Sequence, residues 1–187
     1  MIVNGLSVMR MISRCDCPAG LVFVATAIAL SACIAPAPRV NLNDSQAVAG
    51  AISVQRDDFK KVTKYEGPNA ADNVFDKLFI RAWKIDGTED VGYQIYVMDY
   101  YNGDWRFYNS AYDSNGNSLK TTLISRDVGS CNRYGCSHYE HVGLNVSREY
   151  LAKNQDSSIR FKISGKAGEE VFFIPGAYIK AFLSVAK

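Results

Sequence analysis

The sequence predicts a mainly β fold, an antiparallel β-sandwich or a curled sheet with a short C-terminal helix, and three observations carry that expectation. From about residue 51 onward the apolar residues recur with the period of a strand far more often than that of a helix. Asn-Gly and Asp-Gly turn signals fall between the apolar segments. Helical spacing returns only in the stretch after Pro175.

The elements follow in order within an expected globular β domain at 51–187. Residues 78–85 (LFIRAWKI) and 93–101 (YQIYVMDYY) are apolar on much of both faces, as central strands are. Residues 86–90 (DGTED) supply the turn between them. Asn102-Gly103 is the strongest short hairpin signal, because both central residues of a type I′ turn need positive φ, and it predicts a return through 105–112. The 113–117 turn (DSNGN) then leads into a strand at 119–128, which makes 78–128 a four-strand antiparallel meander. A strand at 139–146 is followed by a helical turn with Ser147 as N-cap. In 158–164, Ile159, Phe161 and Ile163 alternate with Arg160, Lys162 and Ser164, which describes one dry and one wet face. A strand at 170–174 (EVFFI) precedes the C-terminal helix, where Tyr178, Ile179, Phe182, Leu183 and Ala186 share one side. So short a helix gains its stability by docking on a sheet.

Composition limits the function classes. The chain has 187 residues, 48% of them hydrophobic and 21% charged, which is ordinary for a globular protein and unlike a disordered or multi-span membrane chain. Its 21 Lys+Arg and 19 Asp+Glu give a net charge of +2. A phosphate-binding face needs clustered cations, so no nucleic-acid partner is expected.

The first 32 residues read as a leader. An uncharged apolar run from Leu21 to Ala32 is shorter than the about 20 residues that a spanning helix needs, but it suits a signal-peptide core. Its end, Leu30-Ser31-Ala32-Cys33, resembles the lipobox of bacterial lipoproteins. The resemblance covers only this leader. It implies that the Cys33 thiol receives a diacylglycerol, that cleavage occurs before it, and that its new amino group is acylated. It further implies attachment to the membrane through acyl chains. Ile34, rather than aspartate, follows the cysteine, which in the enterobacterial members points to the outer membrane with the domain in the periplasm. Residues 33–50, with Pro36 and Pro38 and a polar, small-residue run after them, read as the lipid-bearing cysteine and a flexible tether.

Of the five cysteines, Cys15 and Cys17 belong to the leader and Cys33 carries lipid, which leaves Cys131 and Cys136. An even remainder in an exported chain predicts a disulfide, and closing so short a loop contributes about 2 kcal/mol in the chain-entropy account. The alternative is a zinc set of Cys131, Cys136, His138 and His141. It is disfavoured by the oxidising compartment and because His138 and His141, an odd number of residues apart, face opposite sides of a strand. No metal or other cofactor is implied.

His138, Glu140 and His141 form the one concentration of histidines with a carboxylate. On a strand, His138 and Glu140 share a face with Val142 and Leu144, so a general acid/base pair is conceivable there. The plainer expectation places them at a sheet rim, wetted by solvent beside the disulfide loop. Neither a Gly-x-Ser-x-Gly elbow nor a free distal thiol supplies a nucleophile. Asp113, Asn115 and Asn117 superficially match a calcium loop, but Ser118 and Ile124 stand where its glycine and bidentate glutamate belong.

The remaining signal is aromatic density. Tyr93, Tyr96, Tyr100, Tyr101, Trp105, Phe107, Tyr108 and Tyr112 crowd two neighbouring segments. They suit a protein or glycan recognition face, with Tyr101 and Trp105 as its candidates, and suit cross-strand pairing in a half-buried sheet better. The expected function is a lipid-anchored envelope protein whose domain binds or scaffolds an envelope partner without catalysis. The rival expectations are a small hydrolase or metal-dependent enzyme built on His138, Glu140 and His141, and a surface-exposed adhesin or sensor.

Overall fold

The computed structural model describes residues 39–187. Two antiparallel sheets form, with orders β1-β2-β3-β4-β7-β6 and β5-β8-β9. The larger holds β1 (Ser53–Asp57), β2 (Val62–Glu66), β3 (Lys77–Ile85), β4 (Val91–Asn102), β6 (Lys120–Asn132) and β7 (Gly135–Val146). The smaller holds β5 (Tyr108–Asp113), β8 (Ser158–Gly165) and β9 (Gly168–Pro175). Three helices, α1 (Ser45–Gly50), α2 (Arg148–Asn154) and α3 (Gly176–Val185), complete the fold. The mainly β antiparallel expectation with a short C-terminal helix is met, and the sheets do not close into a barrel. Among the described residues, no helix is long and apolar enough to cross a membrane.

Strand alternation sets the layers. Leu78, Ile80 and Ala82 of β3 point inward, and the ladder places Ile80 beside Ile95 and Ile95 beside Leu144, all three without exposure. The smaller sheet meets this face with Tyr108, Phe161, Ile163 and Ile174, and α3 adds Tyr178, Ile179 and Phe182 to the same core. Tyr178 fixes the helix to β3, since its hydroxyl donates to Pro68 O at 2.9 Å and accepts the Ile80 N–H at 3.3 Å. Ser147 caps α2 as its sequence predicts, accepting the Tyr150 N–H at 3.1 Å.

Two expectations need correction. The 78–128 meander does not form. After the β3–β4 hairpin, the chain leaves the larger sheet, and β5 pairs with β8 instead. Of the Asn102-Gly103 pair only Gly103 has positive φ, 106°, and its N–H donates to Cys136 O, so the pair makes an exit rather than a type I′ return. The exit follows from the side chains. Tyr108 and Ala111 are buried and Asn109 exposed, so β5 has a dry face that only the core of the second layer satisfies. The 113–117 turn does form, with Asp113 N donating to Asn117 O at 3.0 Å, after which β6 returns to the larger sheet beside β7.

The tether, expected to reach residue 50, is folded from 39 onward where described. Asp44 caps α1 by accepting the Gln46 N–H at 2.9 Å, and Val48 is fully buried in the common core. Its polar, small-residue composition hid an apolar anchor, Val48, with Val40, Leu42 and Ala49 packed against the core beside it.

Candidate functional site

Strands β4 and β7 run side by side, and their inward residues bring a polar cluster into the interior. Register pairs Asp99 with Glu140 and Tyr101 with His138. Glu140 has no exposure; its Oε2 accepts the Tyr101 hydroxyl at 2.7 Å and its Oε1 accepts Nε of Arg126. The Tyr101 oxygen in turn accepts the Arg106 N–H at 3.0 Å. Asp99 Oδ2 accepts the Tyr108 hydroxyl at 2.6 Å and Arg106 Nη1 at 2.9 Å. Arg106 also reaches Glu170 Oε2 at 3.2 Å and lies 4.4 Å above the Tyr101 ring centroid. Burial pushes the Asp99 carboxyl up to about 6, against the pull of Tyr108 and Arg106. Burial also raises Tyr101 and Tyr108, and donation to a carboxylate adds to the effect.

This geometry revises the wetted-rim expectation. His138 is 5% exposed and Glu140 0%: the exit corner sets Trp105 against His138, with 4.0 Å between the rings, and Tyr101 and Arg126 enclose Glu140. His138 Nδ1 is buried without a hydrogen-bond partner. Tyr101, at 5% exposure, is likewise a core residue and not part of a binding surface, while Trp105 is half-buried at the edge. His141 turns to the opposite side, where Nδ1 lies 2.5 Å from the Tyr96 hydroxyl and Nε2 is 3.6 Å from Asp127 Oδ2. The structure therefore brings His138 and Glu140 to one face and leaves His141 out.

Cys131 and Cys136 are bonded to each other, with S–S 2.06 Å, across the β6–β7 hairpin. With His138 turned inward and His141 outward, the four residues do not converge as a zinc set. Asp113 Oδ1 accepts the N–H groups of Asn115 and Asn117, both at 2.9 Å, so its carboxylate serves the turn. Cys33 and the leader lie outside the described residues.

The aromatic set that sequence reasoning weighed as a recognition face includes Tyr96 and Tyr100 on the outer face of the larger sheet, but its candidates were Tyr101 and Trp105, and the outer face as a whole was not singled out. Among the described residues, no second layer covers it. Solvated sheet faces are ordinarily polar, yet this one carries the half-buried rings of Trp83, Tyr96, Tyr100 and Tyr139 around a buried Phe79. Phe79 stacks on Tyr96 at 4.6 Å, Tyr100 leans on Tyr139 at 4.9 Å, and Arg81 lies 4.9 Å above the Tyr96 ring. At the β1–β2–β3 end the face dips into a groove of about 340 Å³, bordered by Trp83, Arg81, Lys64, Glu66, Gln55 and Ser53. The available signal was the outward phase of 78–85: Phe79, Arg81 and Trp83 alternate with the core residues, but alternation alone does not say which face is covered.

No protein-family model, curated protein or solved structure matches this chain.

Proposed function

We propose that this chain is a lipid-anchored bacterial envelope protein, held in the outer membrane by acyl chains on Cys33, whose periplasmic β domain works by binding a partner rather than by catalysis. The observation that carries the binding reading is the outer face of the six-stranded sheet, which no other element among the described residues covers and where aromatic rings with polar tips stand in rows that the core does not use. The interior cluster supports the same reading. Both oxygens of Glu140 are engaged by Tyr101 and Arg126, and His141 lies across the sheet from it, which leaves the hydrolase alternative without a convergent acid/base pair. The lipobox-like Leu30-Ser31-Ala32-Cys33 supplies the anchor, and the disulfide is consistent with an oxidising compartment.

Two experiments test the two halves. Cells fed an alkyne analogue of palmitate should label the protein, and Cys33→Ser should abolish labelling and release the chain from membranes. An unlabelled product overturns the anchor. A photo-crosslinking residue at Thr122, exposed on the outer face, should give discrete adducts in cells that the same residue at Lys166, in the β8–β9 turn, does not. Equal patterns, or adducts from neither position, overturn the binding face.

A further inference from the structure

We propose that the groove at the β1–β2–β3 end of the outer face binds an oligosaccharide, with one pyranose ring stacked on Trp83. The inference rests on the outer face being a recognition surface and adds the chemistry of what it recognises.

The register builds the site in two rows. Gln55, Lys64, Trp83 and Gly92 form one, and Ser53, Glu66, Arg81 and Gln94 form the next, all on the same side of the sheet. The indole occupies the space above Gly92. A Cβ there would stand 2.5 Å from Trp83 Cε2 and 2.6 Å from Nε1, so only glycine lets the ring settle on the sheet. The neighbouring row is fixed by its own hydrogen bonds. Arg81 donates through Nε and Nη2 to Gln94 Oε1 at 2.9 and 2.6 Å, and Gln94 Nε2 donates to Asn145 Oδ1 at 2.6 Å. A preorganised aromatic plate thus lies beside planar groups whose orientation is set before any ligand arrives.

The lining selects the ligand class. A pyranose ring has a face of C–H bonds, which packs on an indole, and a rim of hydroxyls, which pair with carboxylate, amide and guanidinium groups together. Glu66, Gln55 and Arg81 supply those groups around Trp83. Lys64 and Arg81 stand against Glu66, and Lys64 Nζ also lies 3.9 Å from Asp57 Oδ2, so the charge is balanced and does not favour a polyanion. Ligand sites span about 300–1,000 Å³, and this groove of about 340 Å³ lies at the small end of that range.

The test titrates the full lipidated protein in detergent with tetrasaccharides of β-linked glucose, β-linked N-acetylglucosamine and α-linked mannose, read by tryptophan fluorescence and amide NMR. At least one should bind saturably and shift amides of β1–β3. Trp83→Ala and Gly92→Val should weaken binding about tenfold or more, as loss of an aromatic anchor does. Trp83→Phe should retain part of it, and Phe173→Ala, on the exposed side of the smaller sheet, should bind unchanged. Dispersed amide spectra show that each variant is folded. Failure of all three saccharides, or unaltered binding by folded Trp83→Ala, overturns the proposal. If either occurs while Thr122 still gives discrete adducts, the binding-module reading stands and only its carbohydrate assignment falls.

Discussion

The Tyr101 hydroxyl donates to Glu140 Oε2 at 2.7 Å across adjacent strands, and the same oxygen accepts the Arg106 N–H at 3.0 Å. One phenol thereby satisfies a buried carboxylate and holds the exit corner of the chain. Tyr101→Phe, which keeps the ring and removes both bonds, should cost about 1–3 kcal/mol. Tyr101→Ala should cost about 3–5 kcal/mol. Trp105→Ala should cost less than Tyr101→Ala, because Trp105 is only half-buried. Urea unfolding of the three variants measures this, and a nearly unchanged midpoint for Tyr101→Ala would contradict the core placement.

Asp99 should make the domain less stable as pH rises. Its folded-state value of about 6 lies above the ordinary 3.8, so between these limits the folded chain holds the proton more tightly than the unfolded chain. Its stabilising contribution is complete below about pH 4 and lost as pH passes 6, a change of about 3 kcal/mol. Exposed carboxylates such as Asp86, held low by Arg56, act in the opposite direction, so the informative quantity is the difference between wild type and Asp99→Asn. That difference should move against wild type from pH 4 to 7. A flat difference would show that Asp99 titrates normally.

His138 presents an orphaned buried nitrogen to aromatic neighbours. Removing an unsatisfied polar group in favour of an apolar ring recovers its desolvation cost, so His138→Phe should stabilise the domain by about 1 kcal/mol. Calorimetry would register a raised transition. A loss of several degrees would mean that the nitrogen has a partner, such as an ordered water, that the phenyl ring displaces.

Segment 39–50 belongs to the folded unit. Removing residues 34–50, with Cys33 joined directly to Ala51, should cost at least the burial of Val48, about 2 kcal/mol, with further loss from the exposed flank of α3. Denaturant unfolding and faster amide exchange in α3 would report it. Unchanged stability would restore this stretch to the tether.

The central strands were legible because their aliphatic alternation is strong: Ile80, Ile95 and Leu144 announce the dry face, and Tyr178, Ile179 and Phe182 announce the docking helix. The edge strands were not. Ser53–Asp57 and Val62–Glu66 are mostly exposed and polar, and their pairing is stabilised by the ladder and by Arg56 reaching Asp86 Oδ1 at 2.6 Å, a contact thirty residues distant in sequence. The exit after Asn102 was equally hidden, since a turn dipeptide specifies a change of direction and not which sheet receives the chain. For the site, parity along 138–141 correctly separated the histidines. The face that Glu140 shares with Val142 and Leu144 pointed to burial, but the wetted rim was the plainer expectation because its counter-charge, Arg126, comes from a neighbouring strand.

Glu140 and His141 are consecutive residues that live in different media, one sealed in the interior and the other in the outer layer of side chains. A slide of β7 by a single step would exchange them. Val142 and Leu144 would turn to water, Arg126 would lose its anion, and His141 would be driven among aliphatic groups. Long ladders tolerate many nearly equivalent alignments when only greasy contacts distinguish them. Here the enclosed carboxylate has its Tyr101 and Arg126 partners in one alignment alone, and any slide of β7 parts the charge from them.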